Sequence, residues 1–163
     1  MTSSDGVTWT EHIFTPTGMS SMMSLAILEP IVTSDGSIYI GAAASDSSYV
    51  NYAWYVFKST DGGVTWTEAD KFIDISPSSN YLSLMFKDVN ENLYAIGSRY
   101  DGTNNNLIIR RSADAGSTWT QEGSFLNANV GGAKIDENGN ILLFGTKSNS
   151  PLYDIYSISH SCN

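Results

Sequence analysis

Positive charge is scarce in this chain: eight Lys and Arg stand against 17 Asp and Glu, a formal charge of −9 over 163 residues. So few cations cannot neutralise a row of phosphates, which argues against nucleic acid, and equally against an anionic membrane surface, as partner. Cysteine is limited to Cys162, which excludes an intrachain disulfide and a multi-cysteine zinc site. One residue from the C-terminus, it reads as a frayed, inert thiol, with an intermolecular bridge as the alternative. No apolar run approaches the roughly 20 residues of a membrane-spanning helix. The opening Met1-Thr2-Ser3-Ser4-Asp5-Gly6 lacks the basic and apolar regions of a secretory signal. Charged residues make up 15% of the chain against 41% hydrophobic, which fits neither a disordered chain nor a charged helical bundle. No segment sustains a 3.6-residue period. Polarity comes instead from Ser, Thr, Asn and 14 Gly, residues of turns and strands, and an all-β domain is expected.

The chain is organised by repeats. Ser59-Thr60-Asp61-Gly62-Gly63-Val64-Thr65-Trp66 recurs as Ser112-Ala113-Asp114-Ala115-Gly116-Ser117-Thr118-Trp119, an offset of 53 residues. A third copy, Ser3-Ser4-Asp5-Gly6-Val7-Thr8-Trp9, is one residue shorter. A second motif interleaves with the first: Ser34-Asp35-Gly36-Ser37-Ile38-Tyr39-Ile40-Gly41 is echoed around Asn92-Leu93-Tyr94-Ala95-Ile96-Gly97 and again around Asn140-Ile141-Leu142-Leu143-Phe144-Gly145. Its final glycines step by 56 and then 48 residues.

Each repeat reads as four strands bounded by Gly, Asn and Asp. First strands are expected over 25–33, 81–87 and 130–135, second strands over 38–43, 93–97 and 141–145, and third strands over 54–58, 107–111 and 153–158. Fourth strands carry the motif tryptophan, as in Trp66-Thr67-Glu68 and Trp119-Thr120-Gln121-Glu122. Four-stranded units at this spacing indicate β-propeller blades. In the Ser-x-Asp turn, the carboxylate accepts nearby backbone N–H groups, Gly supplies positive φ, and Trp anchors the hairpin. Asp5, Trp9, Ser59, Asp61, Gly63, Trp66, Ser112, Asp114, Gly116 and Trp119 are therefore assigned to scaffold.

These octets resemble the Asp-box, the bacterial neuraminidase repeat of sialidases, sortilin-type receptors, xyloglucan-degrading enzymes and a photosystem assembly factor. The copies at 59–66 and 112–119 fit at every defined position, and the copy at 3–9 is degenerate. The resemblance covers nearly the whole chain. It implies blades of four antiparallel strands, with each box joining the third and fourth strands on the face away from the ligand site. Three blades are expected in one unit over 1–163: an outer strand over 1–16 completing a blade, blades over 17–73 and 74–127, and three inner strands over 128–163.

The resemblance does not extend to the chemistry of sialidases, which hold the substrate carboxylate with three arginines. The first of these sits in an Arg-Ile-Pro, and the nearest echo here, Leu28-Glu29-Pro30-Ile31, has Glu in place of the cation. The arginines are Arg99, Arg110 and Arg111, and the last two, adjacent on a strand, point to opposite faces. Glycoside hydrolysis needs two facing carboxylates. Glu68 and Glu122 lie on outer strands, Asp70 is a further carboxylate, and Glu29 on an inner strand is the weak catalytic candidate. His12 and His160 are isolated. Asp88-Val89-Asn90-Glu91-Asn92 and Asp136-Glu137-Asn138-Gly139-Asn140 look faintly like calcium loops, but Arg99 and Lys147 stand where such a loop needs Glu. Neither metal nor cofactor is expected.

What remains is a binding surface. Connections between second and third strands, over 46–52, 99–106 and 147–151, share the face opposite the boxes. Tyr49, Tyr52, Arg99, Tyr100, Asp101 and Asn104 could stack on sugars and bond hydroxyls, as a lectin does. The reading is a non-catalytic module for carbohydrate or surface recognition, suited to a secreted protein or a virion or phage adhesion component. The alternatives are a divergent glycoside hydrolase and a scaffold for protein partners. Three blades cannot close a ring, because propellers need four to eight. The expected partner is a second copy, giving a six-bladed homodimer in which each N-terminal strand, over 8–14, completes the last blade of the other chain. The rival readings are a piece of a longer propeller chain and a nine-bladed trimer, the latter beyond the usual range.

Overall fold

The computed structural model describes residues 1–14, 28–45, 52–73, 79–149 and 152–160. Among them are eleven strands and no helix. The strands β1 (Ile31–Val32), β2 (Ile38–Ser45), β3 (Tyr52–Ser59) and β4 (Thr67–Phe72) follow one another as antiparallel neighbours. A second run, β5 (Ser79–Lys87), β6 (Leu93–Tyr100), β7 (Asn105–Ser112) and β8 (Thr120–Leu126), repeats the arrangement. The two meanders are joined by one parallel bridge, Tyr52 to Ser79. A third sheet consists of β9 (Ala128–Ile135), β10 (Ile141–Asn149) and β11 (Leu152–His160), in the order β11-β10-β9.

Most strands run one to three residues beyond the patterned cores expected of them. The first strand falls short: within 25–33 only Ile31 and Val32 form a ladder, and 25–27 lie outside the described residues. Pro30 has no N–H to give a ladder, although Leu28 N donates to Gly41 O beyond it at 3.2 Å. A fourth strand over 8–14 is not formed. Among the described residues, 1–14 make one isolated bridge, Thr2 to Thr10, and pair with none of the strands β1–β11. Sequence patterning also missed the bulges: at Ala69 opposite the Val56/Phe57 step and Glu122 opposite the Ile109/Arg110 step, and at Ser83 beside the Leu82–Gly97 pair and Gly131 beside the Val130–Gly145 pair. Each of these pairs of bulges falls at matching positions of two sheets and increases local twist.

Along the inner strands β2, β3, β6 and β7, alternation buries both faces. Leu93, Ala95 and Ile108 turn toward the first meander, into a core with Tyr39, Trp54 and Val56. Tyr94, Ile96 and Leu107 turn the other way, toward Ile141 and Leu143 of the third sheet. On the far side of the first meander, Ala42, Ala44, Ala53, Tyr55 and Phe57 form a further cluster that Phe14 and Trp66 cover in part. Polar contacts pin the first two meanders together at defined points. Tyr39 Oη and Lys58 Nζ both donate to Ala115 O, at 2.7 and 3.0 Å. Arg110 grips Asp70 through Nε and Nη2, at 2.8 and 2.7 Å, with its guanidinium over the Phe72 ring. Glu91 accepts from Ser34 N at 2.8 Å.

The repeated second-strand glycine has a packing reason at position 97. A Cβ there would stand 2.0 Å from Tyr81 O and 2.4 Å from the Trp54 ring. Trp54 is fully buried, and its Nε1 has no hydrogen-bond partner among the described residues. Ring burial, worth about 3–5 kcal/mol by truncation, outweighs an unsatisfied N–H that costs about 1–3 kcal/mol. Gly97→Ala is expected to destabilise the chain by about 3 kcal/mol, the upper end of overpacking costs, since one of the two obstacles is backbone. Urea unfolding monitored by Trp fluorescence checks this, and an unchanged midpoint would refute the packing account.

Candidate functional site

The two ends of the sheets differ in chemistry. At one end lie the Asp-boxes. In the second box Ser59 Oγ donates to Asp61 Oδ1 at 2.8 Å and accepts from Gly63 N at 2.9 Å. Asp61 then accepts from Val64 N, from Thr65 N and from Thr65 Oγ1, the last at 2.6 Å. Trp66 Nε1 closes the turn on Gly63 O at 3.1 Å. Ser112, Asp114, Gly116 and Thr118 repeat this pattern. In the shorter copy, Asp5 accepts from Ser3 Oγ, Val7 N and Thr8 N. Each carboxylate is thus spent on its own turn. Trp66 and Trp119 are half-buried, whereas Trp9 is 60% exposed.

The turns between first and second strands at this end behave alike. Asp88 accepts from Asn90 N and Asn92 N at 2.9 Å each, and Asp136 accepts from Asn138 N and Asn140 N. Donor-filled oxygens of this kind make hairpin turns rather than calcium loops.

At the other end stands the face that the sequence assigns to ligands. Tyr49 lies outside the described residues. Tyr52 closes this end of β3, and its ring lies 5.3 Å from that of Tyr81. Asn80, fully buried, donates Nδ2 to Tyr52 O at 2.8 Å and so fixes the backbone beneath the pair. Tyr81 pairs with Ser98 and Tyr100 with Ser79, which sets the two tyrosines on one face as diagonal neighbours. Tyr81 is 44% and Tyr100 45% exposed. The segment expected as a long loop over 99–106 is instead a tight turn. Asp101 Oδ1 accepts from Thr103 N and Asn104 N at 3.1 and 2.8 Å, and Tyr100 Oη donates to Gly102 O. Asp101 and the Tyr100 hydroxyl are therefore engaged within the turn. Arg99 pairs with Asn106, four residues along β6 from the Ala95–Arg110 rung, or about 13 Å. The three arginines accordingly do not converge.

Glu29 is exposed ahead of β1. Of the other carboxylates considered, Asp70 is held by Arg110, Glu68 is exposed, and Glu122 is 3.7 Å from Arg111. His12 Nε2 contacts Thr2 Oγ1 at 2.9 Å. The side chain of His160 and the whole of Cys162 lie outside the described residues. Tyr81 and Asn80 escaped the sequence reading. Their signal was the polar run Ser78-Ser79-Asn80 leading into an inner strand on the same face as the second-to-third turns.

Hydrogen bonds hold Asp61 and Asp114 at about 2, with their Thr65 and Thr118 hydroxyl bonds as the largest cause. Asp35 is held at about 2 chiefly by Thr33 Oγ1, and Asp5 at about 2 chiefly by Thr8 N. A carboxylate with a depressed folded pKa adds stability above its unfolded value, 3.8 here, that disappears as pH falls through the folded value near 2. Thermal stability should hold down to about pH 4 and fall from there to about pH 2. Asp61→Asn should lower the melting temperature at pH 7 and flatten the acid limb. Differential scanning calorimetry across this range tests both, and an acid limb unchanged in the variant would contradict the assignment.

Residues 1–152 match the family model described as the BNR repeat-like domain. No curated protein matches the chain at a significant level. Among solved structures, a Dyadobacter fermentans protein of unknown function is 20% identical with a TM-score of 0.62, over 81% of this chain and 36% of that one. An α-L-arabinofuranosidase of Fusarium graminearum in complex with an iminosugar inhibitor is 16% identical, TM-score 0.56, over 82% of this chain and 45% of that one. The GH93 α-L-arabinofuranosidase of the same fungus with arabinobiose gives 16%, 0.55, 81% and 44%. These likenesses establish a propeller-like all-β fold, and the chain spans less than half the length of each structure. By its boxes, its sheets and the match over most of its length, the chain belongs to the BNR repeat-like domain family.

Proposed function

We propose that the chain is a non-catalytic recognition module that binds carbohydrate on the face opposite the Asp-boxes. Its meanders would be propeller blades of four antiparallel strands, three to a chain, with the third blade completed from outside. The observation that carries the reading is the aromatic group on that face: the Tyr52–Tyr81 pair, with Tyr100 two rungs away and exposed. Aromatic faces stack on the C–H surfaces of sugars at little entropic cost, and Asn and backbone groups around them bond hydroxyls. The excess of negative charge favours neutral over acidic glycans. The arabinofuranosidase neighbours make arabinose-containing oligosaccharides the first ligands to try.

Those neighbours also favour a second reading, a divergent glycoside hydrolase using Glu29. Against it, Asp70 is neutralised by Arg110 and Glu122 stands beside Arg111, which leaves Glu29 without an evident second carboxylate among those considered. A glycan array run beside a fluorogenic glycoside panel separates the two. Binding that weakens at least tenfold in Tyr81→Ala or Tyr100→Ala, with the circular dichroism spectrum unchanged, is the expected outcome. Turnover that disappears in Glu29→Gln would replace the proposal with the hydrolase.

A further inference from the structure

The junction between the second meander and the third sheet holds a cleft of about 210 Å³, and the first junction shows what such a place is for. By register, Tyr94, Arg111, Ile109, Glu122 and Gly123 hold the positions that Tyr39, Lys58, Val56, Ala69 and Asp70 hold one meander earlier. At the first junction that surface is occupied by the Asp-box of the next meander. Ala115 O receives the Tyr39 and Lys58 donors. Gly116 lies so close that a Cβ on it would stand 2.9 Å from the Tyr39 ring and 3.7 Å from Ala69 Cβ. Trp119 packs on the core that includes Tyr39 and Trp54. At the second junction the equivalent residues Tyr94, Ile109, Glu122 and Gly123 line the open cleft, with Ile158 and Ser159 of β11 opposite. No described box sits there. Arg111, in the place of Lys58, has a buried Nε with no hydrogen-bond partner among the described residues, where a box would present a carbonyl.

The chain also carries a box without a seat. The turn at 3–9 is fully formed by its own hydrogen bonds, yet Val7 is 83% and Trp9 60% exposed. The residues after it, Trp9-Thr10-Glu11-His12-Ile13-Phe14, resemble β4 and β8 in reaching a phenylalanine after the tryptophan, five residues on against the six of Trp66 to Phe72 and Trp119 to Phe125, whose strands each carry a bulge. In its own chain this segment lies on the far side of the first meander, where Phe14 meets Phe57 at 5.1 Å and Trp66 at 6.5 Å. The whole stack of sheets separates it from the cleft.

We propose that the cleft between the second meander and the third sheet is the seat for the N-terminal Asp-box of a second copy of this chain. Residues 10–14 of that copy then add a strand to the edge of β11 that no described strand pairs. The exchange is reciprocal and two-fold. It pairs the β11 edge of each chain and lays the far face of the third sheet, with Phe144 46% and Ile155 89% exposed, against the far face of the first meander. Two chains of three blades make a closed ring of six, within the usual range.

Native mass spectrometry of the intact chain at micromolar concentration should show a two-chain mass. Trp9→Ala removes a side chain that is exposed in a single chain, so it should leave the circular dichroism spectrum unchanged while weakening the dimer at least tenfold. Ser159→Trp, which fills the cleft, should do the same. A wild-type monomer overturns the proposal, and so does a dimer that survives both variants. A labelled peptide of residues 1–16 should bind the Trp9→Ala chain, and failure to bind would equally count against the seat. None of these readouts depends on glycan binding, so the two proposals fail separately.

Discussion

Two-sided burial is the constraint on which this architecture depends. A strand such as β6 sends Leu93 and Ala95 to one side and Tyr94 and Ile96 to the other, all of them buried. The larger of these side chains are each worth about 1.5–3 kcal/mol when removed from water, and a lone meander would leave one side of that burial unrealised. Sheets of this composition must stack face to face, as layered folds require. Short turns, large aromatics and close-approach glycines serve that stacking. Trp54 reaches its neighbour because position 97 has no Cβ to block it.

Apolar burial is non-directional, so something else must set where one meander sits on the next. Here the polar contacts do so. The left-handed turn at Ala115, with φ 54°, turns its carbonyl out to two donors of the preceding meander. The Arg110–Asp70 pair is mostly buried, with side chains 15% and 7% exposed. It costs desolvation and adds little net stability over an apolar substitute. Breaking it from one side, however, leaves an uncompensated charge worth about 3–5 kcal/mol. Such a pair penalises misplaced stacking more than it rewards correct stacking, which is what a positional device needs.

How much of this was legible follows from how local each feature is. The boxes, the alternation and the strand order were readable because each is set by residues within one hairpin. What escaped either depends on residues from different repeats or is marked by no distinctive residue. The bulges at Ala69 and Glu122 come from twist between strands, and neither position has a distinctive residue. The tyrosine group needs Tyr81 from one meander and Tyr52 from another, and only the second stood in a segment read as a loop. The strand expected over 8–14 had the right pattern but pairs with none of the described strands of its own chain. The turn at 101–104 was read as a long loop because Asn and Gly runs look alike whether open or tightly hydrogen-bonded.

The same turn chemistry bears on what kind of recognition the opposite face supports. Asp101 is filled by two backbone N–H groups and the Asn106 amide, and the Tyr100 hydroxyl is bonded to Gly102 O. Asn105 is joined to Asn129 across the second junction. The polar groups there are largely committed to shaping the face, as the box carboxylates are at the other end. What remains outward is the flat area of the tyrosine rings, held in place by those hydrogen bonds. A surface of that kind gains little from a charged partner and most from a ligand with an apolar face and hydroxyl edges. Pre-organised rings lose little freedom on contact. Under the proposed recognition role, changing the rings, rather than the charges, is therefore what would alter selectivity.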